Sequence, residues 1–228
     1  MPTLLLSNHY EGAPLEILSG VVGDSFDLVM LDSLSTDELK DKIADADYLL
    51  VSGRMMVDGD VLSCARRLRM IQRTGVGLDN MDLAYMCEHD IPLYVNRGVN
   101  ATSVAEHAVY LILATLRRSH FVNSRIRAGI WAKQQTGLTT HELCGKTVGI
   151  VGVGNIGAKV CRMLSAFDVR LVYTSVPRLD EEEERALGLC YRTLPELLQE
   201  ADVVSLHCSA QPGGPLLTRE LIESMKPG

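Results

Sequence analysis

The sequence predicts an α/β protein whose sheets are parallel and built from repeated strand–helix–strand units. Three observations predict it. Short apolar runs recur roughly every 20 residues along the first hundred positions, with polar or amphipathic stretches between them. A second alternation of apolar strands and helical stretches runs from residue 146 onward. Where it begins, KTVGIVGVGNIGAKV (146–160) joins an apolar strand to a helix through glycines spaced G-x-G-x-x-G.

Taken in order, TLLLS (3–7), DLVML (27–31), YLLVS (48–52), MIQRT (70–74) and PLYVN (92–96) read as buried strands. Ser35-Thr36-Asp37-Glu38 reads as a capping box, Ser35 to Glu38, opening a helix with Leu39, Ile43 and Ala44 on its apolar side. Val57 to Leu68 and Met81 to Glu88 are helix-like. SVAEHAVYLILATLRR (103–118) is a strong helix, with Ser103 and Glu106 as a second capping box. Its apolar residues cover most of the circumference, which buries such a helix between layers or domains. Arg117 and Arg118 complement its negative end.

Arg125 to Lys133 reads as a shorter helix, and Gln134 to His141 as a polar loop. Beyond the strand at Val148–Val151, a helix follows Gly157 to about Phe167, then strand VRLVYT (169–174). The acidic LDEEEER (179–185) is a solvated helix face. LCYR (189–192), LPELLQEA (194–201) and DVVSLH (202–207) are strand, helix and strand, and Thr218 to Met225 is a last helix.

Composition narrows the function. The chain has 228 residues, 46% apolar and 22% charged, with a net charge of −7. An acidic balance argues against nucleic acid as the partner, since phosphate backbones need a basic face. The six cysteines form no C-x-x-C pair and no zinc-spaced cluster, so they read as structural thiols of a reducing compartment. MPTLLLSNHY lacks a basic n-region, and no apolar run approaches the ~20 residues of a membrane span. The expectation is a cytoplasmic protein with no metal site and no membrane partner.

The glycines then gain a chemical reading. Gly152 allows the tight turn after the strand, Gly154 lets a pyrophosphate approach the backbone at a helix N-terminus, and Gly157 lets helix and strand pack closely. A dinucleotide site also carries a ribose contact about 20 residues on, at the end of the second strand. Thr174 stands there, followed by Ser175 and Arg178, with no carboxylate at the tip. Hydroxyls and a guanidinium suit a 2′-phosphate, so the cofactor expected is NADP or NAD, with NADP favoured. Against that, Arg178 has the acidic run Asp180 to Glu184 beside it as a partner.

The segments RTGVGLDNMDL (73–83), NRGVNATSVAEHAVYLILATLRR (96–118), GKTVGIVGVGNIGAKV (145–160) and DVVSLHC (202–208), in this order and spacing, resemble the D-isomer-specific 2-hydroxyacid dehydrogenases. The resemblance covers essentially the whole chain. It implies a flavodoxin-like, parallel-sheet substrate domain over residues 1–101. A Rossmann dinucleotide-binding domain follows over 102–228, incomplete at its C-terminus, with NAD(P) in the cleft between the domains.

It also implies cofactor phosphate contacts at Asn155 and Ile156 and a ribose contact at Thr174, with His207 and Cys208 beside the adenosine or nicotinamide ribose. Val76 and Gly77 would face the nicotinamide and offer amides to the substrate carboxylate. Arg54 would also bind substrate, although it sits two residues later than the family's basic position, which Ser52 occupies. Ser209 stands where the family has proline.

The family's catalytic arginine, glutamate and histidine come after the segment resembling LIESMKPG, where this sequence stops. No catalytic residue is therefore assigned, and the chain as given is expected to be a fragment and inactive. Hydride transfer needs a proton donor at the carbonyl oxygen. The implied function is an NAD(P)-dependent oxidoreductase acting on small 2-oxo or 2-hydroxy acids, as a homodimer through the 103–118 region. A second reading is a dinucleotide-sensing interaction protein of the corepressor type, without turnover.

Overall fold

The computed structural model describes residues 1–33, 35–53, 55–209 and 214–227. The chain divides into two units, Met1–Arg97 and Gly98–Gly228.

In the first unit the apolar runs become strands: β1 (Thr3–Leu6), β2 (Asp27–Met30), β3 (Tyr48–Val51), β4 (Met70–Arg73) and β5 (Leu93–Val95). They pair in parallel in the order β2-β1-β3-β4-β5. That is the order of the flavodoxin-like doubly wound sheet. Helices α1 (Ala13–Val22), α2 (Thr36–Ile43), α3 (Gly59–Leu62) and α4 (Leu83–Glu88) make the crossovers. Leu5, Leu49, Val51 and Ile71 from the sheet bury against Leu39, Ile43, Val61 and Met86 from the helices. This one-sided burial is the main stabilising term, about 25 cal/mol per Å² of apolar surface.

Two expectations for this unit are corrected. Ser35 is the N-cap of α2 but its side chain makes no capping bond. The Glu38 carboxylate instead accepts from the amides of Asp32 and Ser33 and from the Ser33 hydroxyl, tying down the turn before the helix. The helix expected over Val57–Leu68 shrinks to the four residues of α3, capped by Asp58, whose Oδ1 accepts from the Val61 amide at 3.0 Å. Val57 is unavailable to it because it forms a parallel bridge with Met81. Helix α1 went unread in the sequence because none of its residues is buried, so it carries no one-sided stripe.

The second unit opens with α5 (Ala101–Leu116), α6 (Ser119–Arg127) and α7 (Lys133–Thr136). There follow β6 (Thr147–Val151), α8 (Asn155–Leu164), β7 (Arg170–Thr174), α9 (Glu181–Leu187), β8 (Leu189–Tyr191), α10 (Leu194–Glu200), β9 (Val203–Leu206) and α11 (Arg219–Glu223). The parallel sheet runs β8-β7-β6-β9. Its two faces bury different helices. Val148, Ile150, Leu171 and Tyr173 pack with Ala105, Val109 and Ile112 of α5 and Val160 and Leu164 of α8. Val151 and Val172 pack with Leu197, Leu198 and Ala201 around α10.

The second capping box is also corrected. Helix α5 starts at Ala101, behind Asn100, so Ser103 and Glu106 lie inside it. Arg117 is its C-cap, and Arg118, in the left-handed region at φ 49°, turns the chain into α6. The helix expected over Arg125–Lys133 is two helices, α6 and α7, on either side of Gly129 at φ 73°. Among the described residues β9 pairs only with β6. Its outer side borders a groove of about 890 Å³ whose lining includes Val104, Leu111, Lys146, Asp202 and Ser205.

Candidate functional site

Strand β6 is where the order of the second sheet reverses, with β7 and β8 on one side and β9 on the other. Ligands of open parallel sheets bind at such a reversal, beyond the carboxyl ends of the strands. The glycine turn occupies that point, Gly152 to Gly154 running from the end of β6 into α8.

Each glycine answers a different steric demand. Gly152 is buried at φ +91°, and a Cβ there would stand 2.7 Å from the Cys208 amide nitrogen. Gly157 is buried in the first turn of α8, and a Cβ would overlap the Gly152 carbonyl oxygen and lie 3.5 Å from the His207 Cβ. At Gly154 the direction of a Cβ meets nothing within 4 Å. The space above Gly154 is therefore open, and any side chain there would fill it. Among the described residues, the amides of Asn155, Ile156 and Gly157 have no acceptor. Open space in front of unpaired amides at the positive end of a ten-residue helix suits a pyrophosphate.

The neighbouring strand ends lock this turn. The Gly152 amide donates to the Thr174 carbonyl at 2.8 Å, and the Val153 amide to Ser175 Oγ at 3.3 Å. The His207 amide donates to the Val151 carbonyl at 2.7 Å, which brings the end of β9 alongside. His207 Nε2 lies 2.9 Å from Ser205 Oγ, and burial lowers the imidazole pKa from its usual value, favouring the neutral ring. Cys208 is exposed.

Gly152, Gly154, Asn155, Ile156, Gly157, Thr174, Ser175, His207 and Cys208 thus meet in one place. Ser175 serves the turn itself through Val153. Arg178 is engaged elsewhere: its Nε donates to Glu184 Oε1 at 2.9 Å and its Nη2 to Glu184 Oε2 at 3.4 Å. The guanidinium that favoured NADP in the sequence is therefore already paired with a carboxylate. Gly98 escaped the sequence reading although it lies inside NRGVN. It sits at φ +76°, where a Cβ would come 3.4 Å from Asn155 Nδ2.

In the first unit, Val76 and Gly77 form an exposed turn after β4, and their amides have no acceptor among the described residues. Arg73, which the sequence reading did not single out, holds this turn. Its Nε donates to the Gly77 carbonyl and its Nη2 to the Gly53 carbonyl at 3.2 Å. Its Nη1 is buried without a partner among the described residues. Arg54 lies outside the described residues. Among those residues, no helix is long and apolar enough to cross a membrane.

Sheet order, glycine turn and free helix amides together define a dinucleotide-binding α/β protein. Residues 109–228 match the family described as D-isomer specific 2-hydroxyacid dehydrogenase, NAD binding domain, and the chain belongs to that family. It is 33% identical over 230 residues to D-3-phosphoglycerate dehydrogenase of Mycobacterium bovis, aligning all of this chain with 42% of that protein. It is 39% identical over 175 residues to glyoxylate reductase of Aeropyrum pernix, covering 74% of this chain and 51% of the relative. An NAD-dependent formate dehydrogenase of Staphylococcus aureus, solved in complex with NAD, superposes with a TM-score of 0.84 at 25% identity. That superposition covers 99% of this chain and 71% of the other. The chain thus spans about half the length of the curated relatives it matches.

Proposed function

We propose that this chain supplies the dinucleotide site, and part of the substrate site, of an NAD(P)-dependent oxidoreductase interconverting a small 2-oxo acid and its D-2-hydroxy acid. The observation that carries the reading is the open space at Gly154 in front of the unpaired amides of Asn155, Ile156 and Gly157. Gly152, Gly154, Asn155, Ile156 and Gly157 would hold the pyrophosphate, with Thr174 and Ser175 toward one ribose and His207 and Cys208 toward the other side of the site. The bound nicotinamide supplies the hydride. The amides of Val76 and Gly77 would hold the substrate carboxylate, with Arg73 fixing their turn through the Gly77 carbonyl. A hydrogen-bonded anchor of this kind orients the carbonyl and lowers the entropic barrier to hydride transfer.

The proposal extends to a cytoplasmic homodimer that pairs through α5, on which Tyr110 and Leu111 are 58% and 50% exposed. The deciding experiment titrates full-length protein with NADH and NADPH by fluorescence, beside a Gly154→Asp variant. Micromolar binding that the variant loses at least about tenfold, with its melting temperature preserved, is expected. Equal binding by both proteins would sink the site assignment.

A further inference from the structure

The Arg178 side chain is built into a side-chain network beside the end of β7. Its guanidinium is paired through two nitrogens with Glu184 of α9 and lies over the Tyr191 ring of β8, 4.5 Å from the centroid. The same carboxylate accepts from the Tyr173 hydroxyl at 2.7 Å. Tyr173 is fully buried, packs edge-on against Tyr191 at 5.6 Å, and accepts from the Leu179 amide at 3.2 Å. The Glu184 side chain is only 16% exposed, against 58% for that of Arg178. The carboxylate is therefore the fixed partner, and the arginine is the long side chain drawn to it.

Resting on the dinucleotide reading above, we propose that Glu184 sets cofactor choice by holding Arg178 against Tyr191, and so makes the protein select NAD over NADP. NAD-binding chains commonly use a carboxylate at the strand tip to bind the ribose hydroxyls and repel a 2′-phosphate, whereas an arginine nearby accommodates that phosphate. Here the tip is Thr174-Ser175-Val176 and holds no carboxylate. The only arginine between the end of β7 and α9 is Arg178, and its charge is already matched. A 2′-phosphate would have to compete with a bidentate carboxylate and with the ring stacking. The selectivity thus comes from occupying the arginine that follows the strand tip. Glu184 is a positioning residue in this scheme, since it acts through Arg178.

The test measures dissociation constants for NADH and NADPH by fluorescence titration on the full-length protein and three variants. The wild type is expected to bind NADH at least about tenfold more tightly than NADPH. Glu184→Gln frees the guanidinium and should tighten NADPH about tenfold while leaving NADH within about twofold. Arg178→Ala should leave both constants of the wild-type background unchanged, and in the double variant it should cancel the NADPH gain. A merely structural role for Glu184 would weaken both cofactors together, which overturns the proposal. So would a wild type preferring NADPH, or a loss of NADPH binding in Arg178→Ala alone. Binding of neither cofactor by the folded wild type would remove the dinucleotide reading itself, and this inference with it.

Discussion

Gly154 and Gly157 lie three positions apart, yet different physics governs them. At Gly154 a side chain meets open space, so Gly154→Asp should leave folding within about 0.5 kcal/mol of the parent. At Gly157 the new methyl of an alanine runs into the Gly152 carbonyl. Gly157→Ala should therefore cost roughly 1–3 kcal/mol, seen as a lower melting temperature with or without cofactor. Tyr173→Phe tests the neighbouring network. It removes the acceptor of the Leu179 amide and the donor to Glu184, and should cost about 1–3 kcal/mol by chemical denaturation. The glycines could be read from the sequence because their role depends on backbone geometry within a few residues. The partner of Arg178 could not be singled out among the acids from Asp180 to Glu184. Burial of Tyr173 and the approach of Tyr191 choose Glu184, and both depend on strand pairing.

The same division between local and tertiary causes appears in the helix starts. In α9 the capping box is complete: Asp180 Oδ1 accepts from the Glu183 amide at 2.8 Å, and Glu183 Oε2 from the Asp180 amide at 3.3 Å. Asp180→Ala should cost about 1 kcal/mol. Ser35→Ala at α2 should cost almost nothing, because Ser35 makes no side-chain cap there. Paired thermal melts of the two variants would show the contrast, and equal losses would contradict it. The S-x-x-E pattern is the same at Ser35 and Ser103. Nearby amides at Asp32 and Ser33 take Glu38, and an earlier start at Ala101 places Ser103 mid-helix. Strands were easier to read, since a buried parallel strand is a short apolar run whatever surrounds it.

For the molecule as a whole, stability against pH should fall in two stages on acidification. Burial lowers the His207 pKa below its ordinary 6.5, so the unfolded chain takes up that proton first. Stability is then full above pH 6.5 and begins to erode below it. Hydrogen bonds lower the carboxyls of Glu184 (to Arg178), Glu196 (to Thr193), Glu200 (to Arg192) and Asp202 (to Lys226). Their contribution is present above their ordinary values of 4.5 and 3.8 and is lost as pH falls through the lowered ones. A denaturation series from pH 8 to pH 3 should show both limbs, and His207→Gln should flatten only the first. The backing of Gly152 by the Cys208 main chain has a practical use as well. The exposed Cys208 thiol is a native chemical reporter on the turn, readable as a nucleotide is added by its alkylation rate in a peptide map, which separates it from the exposed Cys87, Cys144 and Cys190. Cys161, buried and with its thiol pushed up to about 12, stays silent toward the same reagent and supplies the internal blank.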